Sequence, residues 1–504
     1  MNPARAYLRS RRGRPMSWSD RYAMVFGAAL AVALLGRPLV ATVRGLATGV
    51  DPARLGAALA LVMVAYAGCL ALARLLGPVV LPAADAAWLV LSPLPRRSVL
   101  GRAVAALLVI AVAGGTVLGL AALSAFGAPD DLVLRLVAAL VLGVGASAGG
   151  MAAAVLAQAS GAWDSWLKVA ITGIVLMAVL VAVLGGGVAR QALTAVAGAP
   201  AGLAVSAAGL VAAGAAVLLR RAWAALDRIP ARRILSSSVR SGRVISAAVI
   251  LDPGALTWAA EDDHWRGRVP GSRRWPRFAV LGGWGRAVAP AWQEWRRARR
   301  RPGRLAALAG SAALPALAAQ AAGGLSALSI GLLLGGALTA AVVFVTGARR
   351  DGDNPALARL LAVDGRALMA ARALLPALTA GVWSSLALAG LAVAGVLPGG
   401  PWWPLGPALA PALAAAALRM AGRPPVDHAQ PVIETPAGAL PTGPVIWALT
   451  GVDLALLGCL PTLAALTDPA ASPATSVVVQ AVVGGGVLAA FLLRGGRRPA
   501  ASGE

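Results

Sequence analysis

Few residues in this chain have the types and spacing that chemistry requires. Its histidines are His264 and His428, its cysteines Cys69 and Cys459, and its only lysine is Lys168. A phosphate-cradling P-loop needs Gly-x-x-x-x-Gly-Lys-Ser/Thr, and Lys168 is followed by Val169, so the chain cannot bind ATP in that way. No paired-cysteine site, HExxH motif or Ser-His-Asp arrangement is plausible with so few partners. The residues with suggestive placement are charged ones beside apolar runs. Asp453 falls a few residues into such a run, where an ionisable group is costly and marks a possible intramembrane polar site for ion coupling. Asp130 and Asp131 sit in a short connection and read most simply as carboxylates at a helix N-terminus.

The richest pattern is a pair of loops. The first runs Asp85-Ala-Ala-Trp88-Leu89-Val-Leu91-Ser-Pro-Leu-Pro-Arg96-Arg97, with Arg102 a few residues on. The second runs from Asn354 through Leu360-Leu361-Ala-Val-Asp364-Gly-Arg366 to Arg372. At an offset of 270 residues Leu91 meets Leu361, Arg96 meets Arg366 and Arg102 meets Arg372. Each loop is a short amphipathic stretch, a break, and a basic start to a long apolar segment. A looser echo relates Arg9 to Arg21 with the stretch Trp292-Gln-Glu294-Trp295 and the arginines that follow. Both read as basic amphipathic helices along a membrane surface.

These loops need elements to carry them, and the composition says which. Apolar residues make up 59% and charged residues 13% of 504, about half the charge fraction of a soluble domain. Such a chain needs lipid as solvent. Runs of about twenty apolar residues fall at 22–43, 56–80, 103–127, 133–158, 168–187 and 199–219, then at 304–321, 325–347, 373–397, 404–420, 444–466 and 473–493. The expected fold is therefore all-α and polytopic, with about twelve spans. It divides into a six-helix half (1–219), a basic linker (220–303) and a second six-helix half (304–504). With both termini in the cytoplasm, every Lys and Arg except Arg37, Arg44, Arg54, Arg135 and Arg190 falls on the cytoplasmic side, as the positive-inside rule asks. The net charge of +25 is thus explained by anionic headgroups rather than by nucleic acid.

A six-helix unit with a basic amphipathic entry and a short amphipathic helix between its second and third spans resembles an ABC-2-type exporter permease. The stretch "LVLSPLPRRSVLGR" is similar to the corresponding loop of that family, and two units in one chain would form a fused pseudo-dimer. The whole chain also resembles a group of bacterial membrane proteins of about this length. The resemblance implies a permease in the bacterial cytoplasmic membrane, not itself an enzyme. It would hold no cofactor of its own, ATP being bound by a separate P-loop ATPase. Helices at 85–97 and 354–366 would couple to that partner, with Leu89, Leu91, Leu360 and Leu361 as the inserting face. Arg96, Arg97, Arg102, Asp364, Arg366 and Arg372 would make the polar contacts. One departure is that family members often carry short re-entrant helices between their last two spans, and 467–472 is too short for one. The alternatives are a major-facilitator-type transporter, since "VDGRALMAAR" is similar to its Asp-x-x-Gly-Arg loop, and a non-transporting membrane scaffold. A mostly Ala, Leu, Val and Gly interior fits a lipid-like or peptide cargo better than a charged solute.

Overall fold

The computed structural model describes residues 51–184, 188–249, 282–354, 356, 364–424, 426–427, 429–435 and 438–495. The expected first span and the basic stretch before it lie outside these residues, as do Leu360 and Leu361.

Asp51 opens the first described helix, α1 (Pro52–Leu76), accepting a hydrogen bond from Ala53 N at 3.0 Å, with Pro52 as its first helical residue. Gly77, at φ +75°, ends it. Then come the short α2 (Ala83–Leu89), α3 (Arg96–Phe126), α4 (Leu132–Ala159), α5 (Gly161–Leu184), α6 (Val188–Ala197) and α7 (Ala201–Ala225). A 3-10 turn at Leu226–Arg228 leads to α8 (Ala231–Val249). After the linker come α9 (Gly282–Arg299), α10 (Pro302–Ser311), α11 (Leu314–Ala322), α12 (Ala327–Val342), α13 (Thr346–Asp353), α14 (Gly365–Val393) and α15 (Leu405–Ala421). A two-stranded antiparallel hairpin, β1 (Val432–Thr435) and β2 (Gly438–Pro441), precedes α16 (Thr442–Leu449), α17 (Val452–Thr467) and α18 (Pro473–Gly495).

This is a polytopic membrane protein. Among the described residues eight helices are long and apolar enough to cross a bilayer, counting α10 and α11 together, or nine if the pair α12–α13 is one span. Three expected spans differ in form. The run 325–347 bends by 55° between α12 and α13. The run 444–466 is broken into α16 and α17 at Gly451, whose φ of +92° an L side chain rarely adopts. The run 404–420 gives α15, an apolar helix of 17 residues. Helices occupy both described ends of the linker: α8 and α9 each show the one-sided apolar pattern of a helix lying on a surface.

The two largest hydrophobic cores among the described residues draw on residues between Val79 and Ile234 and on residues between Ala312 and Leu466. In the first, α4 lies between α3 and α7; in the second, α15 lies between α14 and α18. The α3–α4 contact is very close. A Cβ on Gly115 would sit 2.5 Å from Val144 Cα and 2.8 Å from Gly143 O, so the crossing requires glycine. The two regions meet where α1 packs on α11, with the Arg54 guanidinium against Gly323.

Near the far end, Pro461 interrupts the donors of α17. The fully buried Gln480 of α18 accepts from Thr462 N (3.1 Å) and Thr462 Oγ1 (2.9 Å) and donates to Gly458 O (2.6 Å). One side-chain amide thus serves both ends of a single helical rung.

Candidate functional site

The segment around α2 is short, yet it is tied down on three sides. Ser92 Oγ donates to Leu89 O at 2.7 Å and turns the chain, and Pro95 precedes α3. Val79, Ala86 and Val90 are buried in the first core, and Leu89 packs against it. Leu89 therefore faces inward and is not part of an inserting face, because its neighbours on the core side of α2 fix its direction. What the segment presents outward is Trp88, 82% exposed, and Leu91, 71% exposed.

Arg96 and Arg97, expected to reach a partner, are engaged within the chain. Arg96 donates to Ile229 O. Arg97 pairs with Asp227 at 2.7 Å and donates to Ala224 O at 3.3 Å. Together they fasten the start of α3 to the end of α7, meeting carbonyls that a helix C-terminus leaves open. Helix α8 packs on α2 from another side. Ser238 Oγ accepts from Leu81 N at 3.2 Å. The buried Gln158 of α4 exchanges two 3.0 Å hydrogen bonds with the backbone of Val79 and donates to Ser237 Oγ at 3.2 Å. Arg233 of α8 donates to Gln158 O at 2.9 Å and Ala157 O at 3.2 Å, at the C-terminal end of α4. Arg74, Lys168 and Asp164 form a further cluster, with Arg74 Nε 2.6 Å and Lys168 Nζ 3.2 Å from the carboxylate. Arg102 is exposed on α3.

In the second loop, Asp364 caps α14, accepting from Arg366 N at 3.0 Å and Ala367 N at 3.4 Å. That local role accounts for the acid in "VDGRALMAAR". Arg366 is exposed beside it. Arg372 does the opposite of what its placement suggested. It is 7% exposed and pairs with Glu294 of α9 at 3.1 Å and with Asp351 of α13 at 2.8 Å. Glu294, 6% exposed, also accepts from Gly347 N at 2.6 Å. Arg372 thus has no surface to offer a partner; it locks α9, α13 and α14 together. Sequence reading missed this triad, since Glu294 and Asp351 stand among arginines and look solvated. A lone acid inside a basic amphipathic stretch was the available signal.

Asp453 also has a local explanation. It lies in the first turn of α17 beside the break at Gly451, accepts from Gly451 N (2.7 Å) and Leu454 N (2.8 Å), and pairs with Arg419 at 3.0 Å. Its side chain is 39% exposed. This is a capped, paired carboxylate at a helix end rather than an isolated acid within a span.

Asp130 and Asp131 divide their roles. Asp131 precedes α4 without a side-chain capping bond. Asp130 accepts from Ala201 N at 3.0 Å, at the start of α7, and from Arg135. The Arg135 guanidinium holds the Asp130 carboxyl below the usual carboxylate range. Arg135, 7% exposed, donates further to Ala197 O and Ala199 O and so joins α4 to the turn before α7.

Cys69 is exposed and Cys459 buried, on separate helices, and among the described residues no three metal-binding side chains converge. The region with the geometry of a contact surface is the α2 tip. No curated protein and no solved structure matches the chain. A family model does match residues 50–431, well over half of the sequence, and the chain belongs to that family, described as a family of unknown function (DUF6297).

Proposed function

We propose that this chain is the membrane-spanning permease of a transporter powered by a separate P-loop ATPase, which docks at α2 and the matching 354–366 loop. The carrying observation is the exposed Trp88–Leu91 tip on a short helix whose other face is buried in the first core and packed by α8. An apolar knob on a rigid mount suits insertion into a groove of another protein. In this reading the chain has about twelve spans in two related halves, with α2 on the cytoplasmic side of a bacterial membrane. The shared offset supports the relation: α3 begins at Arg96 and α14 at Gly365, and α4 and α15 take the same middle place among their neighbours.

The structure changes which residues do what. Trp88 and Leu91 are the docking contacts, with Arg102 exposed further along the first loop's helix and Arg366 exposed at the second loop. Arg96 and Arg97 transmit: a push on α2 reaches α3 and the end of α7 together because those arginines join them. ATP remains on the partner, and this chain supplies no catalytic group.

The test is co-purification of the tagged, detergent-solubilised protein with a P-loop ATPase, followed by an ATPase assay. Trp88→Glu with Leu91→Glu should abolish recovery of the ATPase while the permease stays monodisperse. Arg97→Ala should retain the ATPase but lose its stimulation. A well-behaved preparation that recovers no ATPase would overturn the reading in favour of a secondary transporter. Normal recovery with the Trp88/Leu91 variant would make α2 a lipid-interface anchor instead.

A further inference from the structure

The close crossing of α3 over α4 has a consequence at both ends of the pair. Two helices that touch at Gly115, Gly119 and Gly143 must diverge on either side, and the space between them is left apolar. On one side is a cavity of about 470 Å³ bounded by Val104, Leu108, Ala111, Met151, Leu219 and Trp223. On the other is a cavity of about 560 Å³ bounded by Met63, Tyr66, Ala122, Arg135, Ala207 and Val211. Both volumes lie within the roughly 300–1,000 Å³ of small-molecule sites. At 100° per residue the lining positions fall on one face of α3 but on opposite faces of α4. The glycine contact therefore separates two chambers arranged along α3, one towards each end of the bundle.

We infer that these two chambers bind the apolar chain of a membrane lipid, which makes a lipid-like amphiphile the substrate class of the transporter proposed above. Apart from Val196 of the short α6, which closes one end of the larger chamber, the helices that bound them, α1, α3, α4 and α7, are long and apolar enough to cross the membrane, so the chambers face hydrocarbon rather than water. Water has few partners there, since an apolar cavity does not hold it. The one charge in the walls, Arg135, is neutralised by Asp130 and donates to Ala197 O and Ala199 O, so it is no receptor for a phosphate. A chain fits these walls and an anionic headgroup does not. The fold does not impose the space either. At the offset of 270, Met63, Leu118, Arg135 and Ala139 correspond to Leu333, Leu388, Leu405 and Leu409, all fully buried side chains. The tyrosine position, Tyr66, corresponds to Gly336, against which the Trp383 ring packs.

The experiment places a photoreactive p-benzoylphenylalanine in the full chain at Ala207, at Ala105 or at Leu210, the last being 76% exposed on α7 outside both cavities. Each protein is extracted in detergent, washed extensively, irradiated and analysed by mass spectrometry. Phospholipid adducts at Ala207 and Ala105, several-fold above Leu210, are expected. Native mass spectrometry should then show less retained lipid for Ala139→Leu, which fills the larger chamber, at an unchanged melting temperature. Equal adduct yields at the three positions, adducts to the chain's own residues 22–43, or undiminished lipid in Ala139→Leu would overturn the inference. Because no ATPase is present, a negative result leaves the docking of a partner at α2 standing.

Discussion

At positions 270 residues apart, the region around α3 and α4 and the region around α14 and α15 make opposite choices. Arg135 and Ala139 on α4 border an open chamber, whereas Leu405 and Leu409 on α15 are fully buried within a dense cluster that also holds Trp383, Leu388 and Leu391. Arg102 is exposed on α3, while Arg372 on α14 is buried between two carboxylates. Half of the window of α14 that qualifies as a span is buried, against 17% for α3. One half is therefore built to be filled by its own side chains and stay put. The other keeps short side chains at its helix crossing and leaves room beside it. In lipid this difference costs little, because hydrocarbon can occupy what side chains do not.

The comparison breaks first at the arginine pair. Arg372→Leu removes the guanidinium that Glu294 and Asp351 share in a largely buried site, a change of about 3–5 kcal/mol. Arg102→Leu, at an exposed position, should cost no more than about 1 kcal/mol, the range of a surface ion pair. Equal effects in thermal or denaturant unfolding would show that the two arginines occupy the same environment after all. A smaller but sharper test exchanges Leu409 and Ala139. Leu409→Ala should cost about 2–5 kcal/mol through the cavity it opens. Ala139→Leu should be neutral within about 1 kcal/mol, since it enters existing space instead of forcing neighbours off their rotamers. If it destabilised as much as Leu409→Ala, the chamber would be closed in the working protein.

The smallest effect concerns pH. Because the folded-state pKa of Asp130 is lowered by Arg135, its contribution to stability is complete above the ordinary carboxylate range of about 4 and is lost as pH falls through the folded value. Asp130→Asn should therefore melt earlier than the parent near neutrality and converge with it in acid. The position 270 residues on is Gly400, which has no side chain to make such an acid-sensitive link.

Much of this architecture could be read directly from the residues. Pro95 before Arg96, and Asp364-Gly365 before Arg366, mark the starts of the two long helices to within a residue. The lengths of the apolar runs locate the spanning helices. What could not be read is direction around each helix. A face against lipid and a face against another helix are both apolar, so periodicity separates them poorly. That is why Leu89 was expected outward and lies inward, and why Arg372 was expected at a surface. The breaks escaped for a related reason: Gly451 is one of 60 glycines, and only its positive φ distinguishes it. Between the last two spans the expectation was closer. Between α17 and α18 there is only a short connection at 468–472, whereas between α5 and α7 lies the ten-residue helix α6.

The Gln480 amide has a bearing on how the chain enters the membrane. A helix that passes singly into lipid must satisfy its own backbone, and each unmet group there costs several kcal/mol. Helix α17 contains Pro461 and draws on a side chain of α18 at Gly458 and Thr462. It is not self-sufficient as an isolated segment. Synthesis delivers Gln480 only after α17 has been made, so the rung at Gly458 and Thr462 is completed only once α18 is in place.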